Sequence, residues 1–492
     1  VRRINIDRSR SPSSSIIMIR RTSSLLYIEK EKIKVAILGS GLTGCTVAST
    51  LLESPEGKFD ITLFEAGRNV GGRMSTRRYI DTNTGRQLSQ FDHGCQVIQP
   101  PKTETFRKEF RKWEERGWVK PWEGRFGEIS CASTSTPRDT TATGTPTNNN
   151  KNNDDGDESS SSNNSKFIYD ELNTTTYVGH PRMSSICENL LQLESTNSTI
   201  QTFTKTRASA THLPFFREDP KYTWKIDTNT TTGKKILGEY DWLVVTDRNT
   251  FKKTNPDLVV ANVELLATQV NRRMESIPSM VTMVKFARPL VGLEVDGLQL
   301  DYYSDTKVMK ENFGSLGWIA RDSSKPGRRR EIYGDEEDDG AECWQLQANR
   351  RESKRLLNRR ELRGASMEKI QKAIRETMVD DFLRAIPKLA SITSKGESNN
   401  DEDSEVEIPP IVQATSHRWN SAFPIHLLSR KAYKNAFLDA KEGRECHVEL
   451  AKHFIACGDY FGEHHGTVEG AFLSGRAAAD NLIQEAIRWG YD

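Results

Sequence analysis

The sequence predicts an α/β protein whose first βαβ unit is completed by the far end of the chain. Three observations carry that prediction. A strand, a glycine turn, a helix and a second strand follow one another between Lys34 and Glu65. A further glycine pair, Gly71-Gly72, comes directly after. More than 350 residues later, a strand ends in Gly458-Asp459 and leads into a helix near Thr467.

Lys34-Val-Ala-Ile-Leu38 is a short apolar run of the kind that forms a buried strand. Gly39-x-Gly41-x-x-Gly44 then makes a tight turn, and Cys45 to Leu52 has helical apolar spacing. Asp60-Ile-Thr-Leu-Phe-Glu65 closes the βαβ unit. Glycines let the backbone pass close to a pyrophosphate, and the helix start offers free N–H groups at the positive end of its dipole. Glu65 lies 24 residues beyond Gly41, where a carboxylate accepts hydrogen bonds from a ribose diol. It would repel a 2′-phosphate, so the dinucleotide held here is not expected to be NADP.

Farther along, Ser133 to Ser165 is almost devoid of apolar side chains and is expected to be disordered. Arg328–Gly340 and Ser394–Glu407 read the same way. Tyr177 to Ser184 leads into an amphipathic helix through Leu193. Short strand-like runs follow at 200–206, 222–227 and 240–246, with more strands between Pro278 and Tyr303. Met367 to Ile386 has helical periodicity, and His453 to Cys457 reads as a strand. No internal repeat is visible.

With 492 residues, the chain has room for roughly two to four domains or one two-lobed enzyme. Its 70 Lys and Arg against 68 Asp and Glu leave a net charge of +2, which gives no electrostatic case for nucleic acid or an anionic membrane as partner. No apolar run reaches the ~18 residues of a membrane span. A mean hydropathy of −0.66 reflects polar inserts diluting an ordinary core. Seven dispersed cysteines without a CxxC pair fit free thiols in a reducing compartment. The first 28 residues hold six Arg against one Asp, with serine patches, a composition like that of a transit peptide. Cytoplasm and an organelle therefore both stand as locations.

Glu65-Ala-Gly-Arg-Asn-Val-Gly71-Gly72-Arg73-Met74-Ser75 resembles the flavoprotein signature of the glutathione-reductase and amine-oxidase class, in which these glycines flank FAD. Gly458-Asp459 followed by Val468-Glu469-Gly470 resembles that class's third FAD motif. There the acid meets the ribityl or pyrophosphate region, and a helix start favours the negative charge of a reduced flavin. The resemblance implies non-covalent FAD held by Gly39, Gly41, Gly44, Glu65, Gly71, Gly72, Arg73, Gly458, Asp459, Val468 and Glu469. The small residues Gly470, Ala471, Ser474 and Gly475 are expected to let the last helix pack closely.

Beyond those motifs, the chain resembles the renalase family of FAD-dependent oxidoreductases from about residue 33 to 482. The resemblance rests on Gly71–Arg77, Phe91-Asp-His-Gly94, Tyr177–Ser184, Trp318–Gly327, His417-Arg-Trp419 and Val468–Gly475. It implies an α/β fold of the p-hydroxybenzoate-hydroxylase type, a Rossmann-like FAD lobe carrying a mixed-sheet substrate lobe. On that basis the FAD lobe comprises 33–95, 178–250 and 445–490, and the substrate lobe 96–132, 166–177 and 251–444. Residues 1–32 are the leader. The implied activity is oxidation of 2- or 6-dihydro-NAD(P) by hydride transfer to flavin N5, with dioxygen as final acceptor and hydrogen peroxide as product. The partners are thus a small dinucleotide and dioxygen, and nothing fixes the oligomeric state.

Hydride transfer from an electron-rich dihydropyridine needs no strong base, only a ring held against the flavin at ~3–3.5 Å. His417 and Trp419 are the leading pocket candidates, one for a hydrogen bond and one for a planar wall. His93 either approaches the flavin or ties down its own loop. Cys95 is either an active-site thiol or a small buried one. Lys325 and Arg328 read as a solvated basic loop, or else as phosphate contacts. His464-His465 reads as loop, and no metal is expected. Two other readings stand beside this one: a flavin amine oxidase, for which no catalytic lysine is evident, and an FAD-binding protein without turnover.

Overall fold

The computed structural model describes residues 32–55, 58–131, 167–212, 224–231, 233–251, 274–300, 307–328, 340–394, 406–426 and 445–488. The leader, the Ser133–Ser165 insert, and most of the two shorter polar runs lie outside them.

Six strands form the first sheet, in the order β19 (Cys446–Glu449), β20 (Phe454–Cys457), β13 (Trp242–Val245), β1 (Ile33–Leu38), β2 (Phe59–Phe64) and β9 (Thr199–Phe203). All pairs are parallel except β19 with β20. Helices cover one face: α1 (Leu42–Glu53) and the C-terminal helix Val468–Arg488 bury Val47, Leu51, Ala478 and Leu482 against Ile37, Ile61 and Val244. The other face carries an antiparallel meander, β10 (Ala208–His212), β11 (Trp224–Thr230) and β12 (Gly233–Tyr240), through Trp224 and Ile226. With both faces buried, β1 and β2 need near-continuous apolar sequence, as IKVAIL and FDITLF supply.

The second sheet has seven strands, in the order β18 (Ile411–His426), β14 (Met274–Phe286), β17 (Glu342–Ala348), β16 (Leu316–Arg321), β15 (Gly297–Leu300), β6 (Phe126–Cys131) and β7 (Phe167–Glu171). It is mixed, since β15 runs parallel to β6 and the other pairs are antiparallel. Met280, Val284 and Phe286 of β14 bury one face against the helix Met367–Thr393 through Ile374, Phe382 and Ile386. That helix outruns the predicted stop at Ile386. Pro387 removes one donor, yet Leu389 and Ala390 are buried beyond it, so core packing carries the helix on.

Two segments pack across the expected lobes. The hairpin β3 (Thr76–Ile80) with β4 (Gln87–Asp92) sets Phe91 against Met283 and Cys343 of the large sheet. The helix Glu104–Glu115, capped by the Thr103 hydroxyl at Phe106 N–H, buries Phe106, Phe110 and Trp113 among Leu42, Cys45 and Phe472 of the nucleotide lobe.

A candidate dinucleotide cavity

A cavity of about 1210 Å³ opens between the carboxyl ends of the parallel strands and the large sheet. That exceeds the roughly 300–1,000 Å³ of ordinary small-ligand pockets and suits a large cofactor with a substrate beside it. The reversal of strand order beside β1, with β2 on one side and β13 on the other, makes the crevice where ligands bind in open α/β sheets.

At one end the wall is backbone. Gly39, Gly41, Gly71 and Gly72 line it, together with Glu65, Arg73, Asp459 and Val468. Gly41 is the informative one. Its φ of −69° and ψ of 177° suit any residue, and a Cβ added there meets nothing within 4 Å. Neither conformation nor packing demands glycine, so the empty space belongs to something that lies against it. The helix that follows has no side chain capping its start, which leaves its N–H groups for that ligand. Gly71, by contrast, is glycine for its backbone, with φ at +114°.

Glu65 holds this cradle together. Its Oε2 accepts from Ser40 N–H at 3.0 Å and Ser40 Oγ at 2.8 Å, and its Oε1 from Gly67 N–H at 2.6 Å. Arg73 donates through both terminal nitrogens to Asp459, at 2.6 and 2.5 Å, and to the Ala422 carbonyl at 3.0 Å. The second glycine turn is thereby joined to the C-terminal motif and to β18.

Three residues assigned to the cofactor stand back from the cavity. Gly44 is there for packing, since a Cβ would lie 2.1 Å from the Gly39 carbonyl oxygen. Gly458, with φ at +146°, donates its N–H to Ser474 Oγ at 2.8 Å. Glu469 turns away and accepts from the backbone of Lys102 and Thr103 at 3.0 and 2.7 Å. Gly475 behaves as expected of a close-packed helix: a Cβ would come within 2.5 Å of the Thr43 carbonyl oxygen.

At the other end the wall is side chain. His417 and Trp419 line it, on alternate positions of β18. His93 does not; it stands behind Trp419, stacked at 5.2 Å between ring centroids and 4.9 Å from His417. Trp419 Nε1 donates to the His93 carbonyl at 2.7 Å, which fixes the indole. His93 therefore positions the wall rather than contacting a ligand. Arg77 Nη2 lies 3.1 Å from His417 Nδ1. Arginine only donates, so His417 accepts at Nδ1 and keeps its proton on Nε2. Burial, with Arg77 and Arg68 nearby, lowers the pKa of His417 to about 4. Burial and His417 take that of His93 to about 3. Both rings are neutral at physiological pH, and His417 is a hydrogen-bond donor there.

Lys325 and Arg328 are neither a solvated loop nor phosphate contacts. Lys325 Nζ donates to Asp322 Oδ1 at 2.6 Å, Asp92 Oδ2 at 3.1 Å and Gln96 Oε1 at 3.2 Å. Arg328 Nη2 donates to Asp92 Oδ2 at 2.6 Å, and all four charged side chains are buried. Burial alone would raise the Asp92 pKa, but Arg328 and Lys325 hold it below the usual carboxylate range. Burial, with the Asp92 charge adding to it, pushes Asp322 upward in spite of Lys325. Asp322 is the local partner, three residues before Lys325 on the 3-10 turn after β16, whereas Asp92 comes from the end of β4 and nothing in 322–328 signals it. The cluster anchors Asp92, the residue before His93.

Cys95 lines the cavity, with Sγ 3.2 Å from the Val97 carbonyl oxygen. Burial pushes its pKa to about 12, so it is a protonated thiol and no nucleophile at neutral pH. Residues the sequence did not single out also line the cavity, among them Arg207, Arg418, Ser279, Gln347 and Tyr460. No lysine does so among the described residues, and among them no three His, Cys, Asp or Glu side chains are grouped to hold a metal. No described helix is long and apolar enough to cross a membrane.

Comparison with known proteins agrees with this architecture. Residues 37–112 match the family described as an NAD(P)-binding Rossmann-like domain. Over 92% of its length the chain is similar in structure to cyclohexylamine oxidase from Brevibacterium oxydans IH-35A, of which 99% is covered, with a TM-score of 0.52 and 9% sequence identity. At that identity the likeness is one of fold. No curated protein matches the chain in sequence. The protein is thus a mixed α/β chain with a Rossmann-like domain and a fold like that of cyclohexylamine oxidase.

Proposed function

We propose that the protein is an FAD-dependent oxidase, acting on 2- or 6-dihydro-NAD(P) with dioxygen as final acceptor and hydrogen peroxide as product. The observation that carries the FAD reading is Gly41, a glycine required by neither backbone nor neighbours, at the mouth of an uncapped helix. The cradle glycines, Glu65, Arg73, Asp459 and the start of the C-terminal helix would hold the cofactor. When bound, FAD supplies the two-electron acceptor and the route to dioxygen.

The chain's own part is positioning. Trp419, fixed by its bond to the His93 carbonyl and backed by the His93 ring, gives a flat substrate a rigid wall. His417 offers its Nε2 proton without taking up another. Because a dihydropyridine gives up hydride without prior deprotonation, a site with neutral histidines and a silent Cys95 suits it. Arg207 on the cavity wall suits a substrate phosphate.

Oxidation of amines is the second reading, favoured by the fold shared with cyclohexylamine oxidase. The absence of lysine from the described lining counts against it, because lysine-bound water is common in that class. Purified protein should carry the visible flavin band, and anaerobic 2- or 6-dihydro-NAD(P) should bleach it. Bleaching by amines alone would establish the second reading. A protein that stays colourless after reconstitution with FAD would overturn both.

A further inference from the structure

The floor of the cavity is a sheet face with a specific row structure. Gln347 of β17, Val281 of β14 and His417 of β18 are direct cross-strand neighbours, and Ser279 and Trp419 form the next row. Ser279, Val281, Gln347, His417 and Trp419 all line the cavity, as side chains sharing one face must. The irregularity at Pro278, between Ile277 and Ser279, sets this register.

Ser279 is 1% exposed, and its hydroxyl finds no hydrogen-bond partner among the described residues. A buried hydroxyl without a partner is costly, and one facing a cavity points to a ligand that completes it. Gln347, at 8% exposure, stands diagonally across the strand pair, at a spacing of roughly 7–8 Å. A hydroxyl and a carboxamide together offer donors and acceptors, but no charge. That combination matches a neutral planar group with both a carbonyl and an N–H₂.

We propose that Ser279 and Gln347 form the specificity site for the substrate's carboxamide, which sets the ring's orientation against the Trp419 wall. The inference rests on the dihydronicotinamide reading and deepens it. It also separates such substrates from simple amines, which have no carbonyl to accept from Ser279 or Gln347.

The test compares dihydronicotinamide dinucleotide with its analogue carrying a methyl ketone in place of the carboxamide. S279A and Q347L are each expected to lower kcat/KM for the carboxamide substrate about 10- to 100-fold, mainly through KM. The ketone, lacking the N–H₂ donors, should lose less, so the ratio between the two narrows. S279T, which keeps the hydroxyl, should restore it, and bound FAD and the flavin spectrum should match wild type. An unchanged ratio in S279A and Q347L would overturn the inference while leaving the dihydronicotinamide reading intact. So would a shifted flavin spectrum with the ratio unaltered, because Ser279 would then face the cofactor. A wild-type protein that oxidises no dihydronicotinamide would remove both.

Discussion

The two ends of the cavity are built by opposite means. The cradle end is backbone, drawn from glycine turns that each occupy a few consecutive residues. The ring end is side chain, drawn from the β3–β4 hairpin, β14, β17 and β18, whose members lie up to 340 residues apart, as in the contact between Arg77 and His417. A cradle works by what is missing, since a ligand fills the place of a Cβ. A ring wall works by what is fixed, and each fixed group needs support from behind: Arg77 for His417, His93 for Trp419, and the buried ion cluster below His93.

Breaking that support is expected to have the largest effect. K325M leaves Asp92 and Asp322 buried beside a lone Arg328, at a cost of about 3–5 kcal/mol in thermal or denaturant unfolding. A melting temperature close to wild type would mean that the cluster does not anchor the β4 end. Substitutions in the cradle should split into two behaviours. G44A forces a Cβ onto the Gly39 carbonyl and should destabilise the flavin-free protein by about 1–3 kcal/mol. G41V should cost the flavin-free protein no more than the roughly 1 kcal/mol of an apolar N-cap and weaken FAD retention, read as flavin absorbance per protein after gel filtration. If G41V unfolds the protein while keeping its flavin, the contrast between the two glycines fails.

The smallest effect is on pH dependence. Well above pH 6.5 both His93 and His417 are neutral whether the chain is folded or not, so neither contributes a slope. As pH falls from 6.5 toward about 4 for His417 and about 3 for His93, the unfolded chain takes up protons that the folded chain refuses, and stability falls. Denaturant unfolding across that range should show the decline, and H417Q should flatten it. An identical slope in H417Q would mean that the ring is already protonated in the folded protein.

Much of the cradle was legible in the sequence, because a turn's geometry depends on neighbours a few residues away and glycine spacing records it. Gly39, Gly41, Gly71, Gly72, Arg73 and Asp459 all line one cavity, as expected of a shared ligand. Gly44, Gly458 and Glu469 belong to the same motifs, yet serve the packing around the cavity. Spacing records that a residue recurs, not which way its side chain turns. His417 and Trp419 were legible as a pair but not in their support. Ser279 and Gln347 left no signal, since an ordinary strand residue acquires a role only through its register with neighbouring strands.

By itself, then, the sequence determined the βαβ unit, the glycine cradle and the convergence of the two chain ends, all consequences of local backbone preference and apolar period. Tertiary structure alone decided that Lys325 and Arg328 are buried against Asp92, that His93 stands behind the wall, and that Ser279 faces the cavity. Those outcomes depend on long-range strand pairing and burial, which bring together groups that no local pattern links.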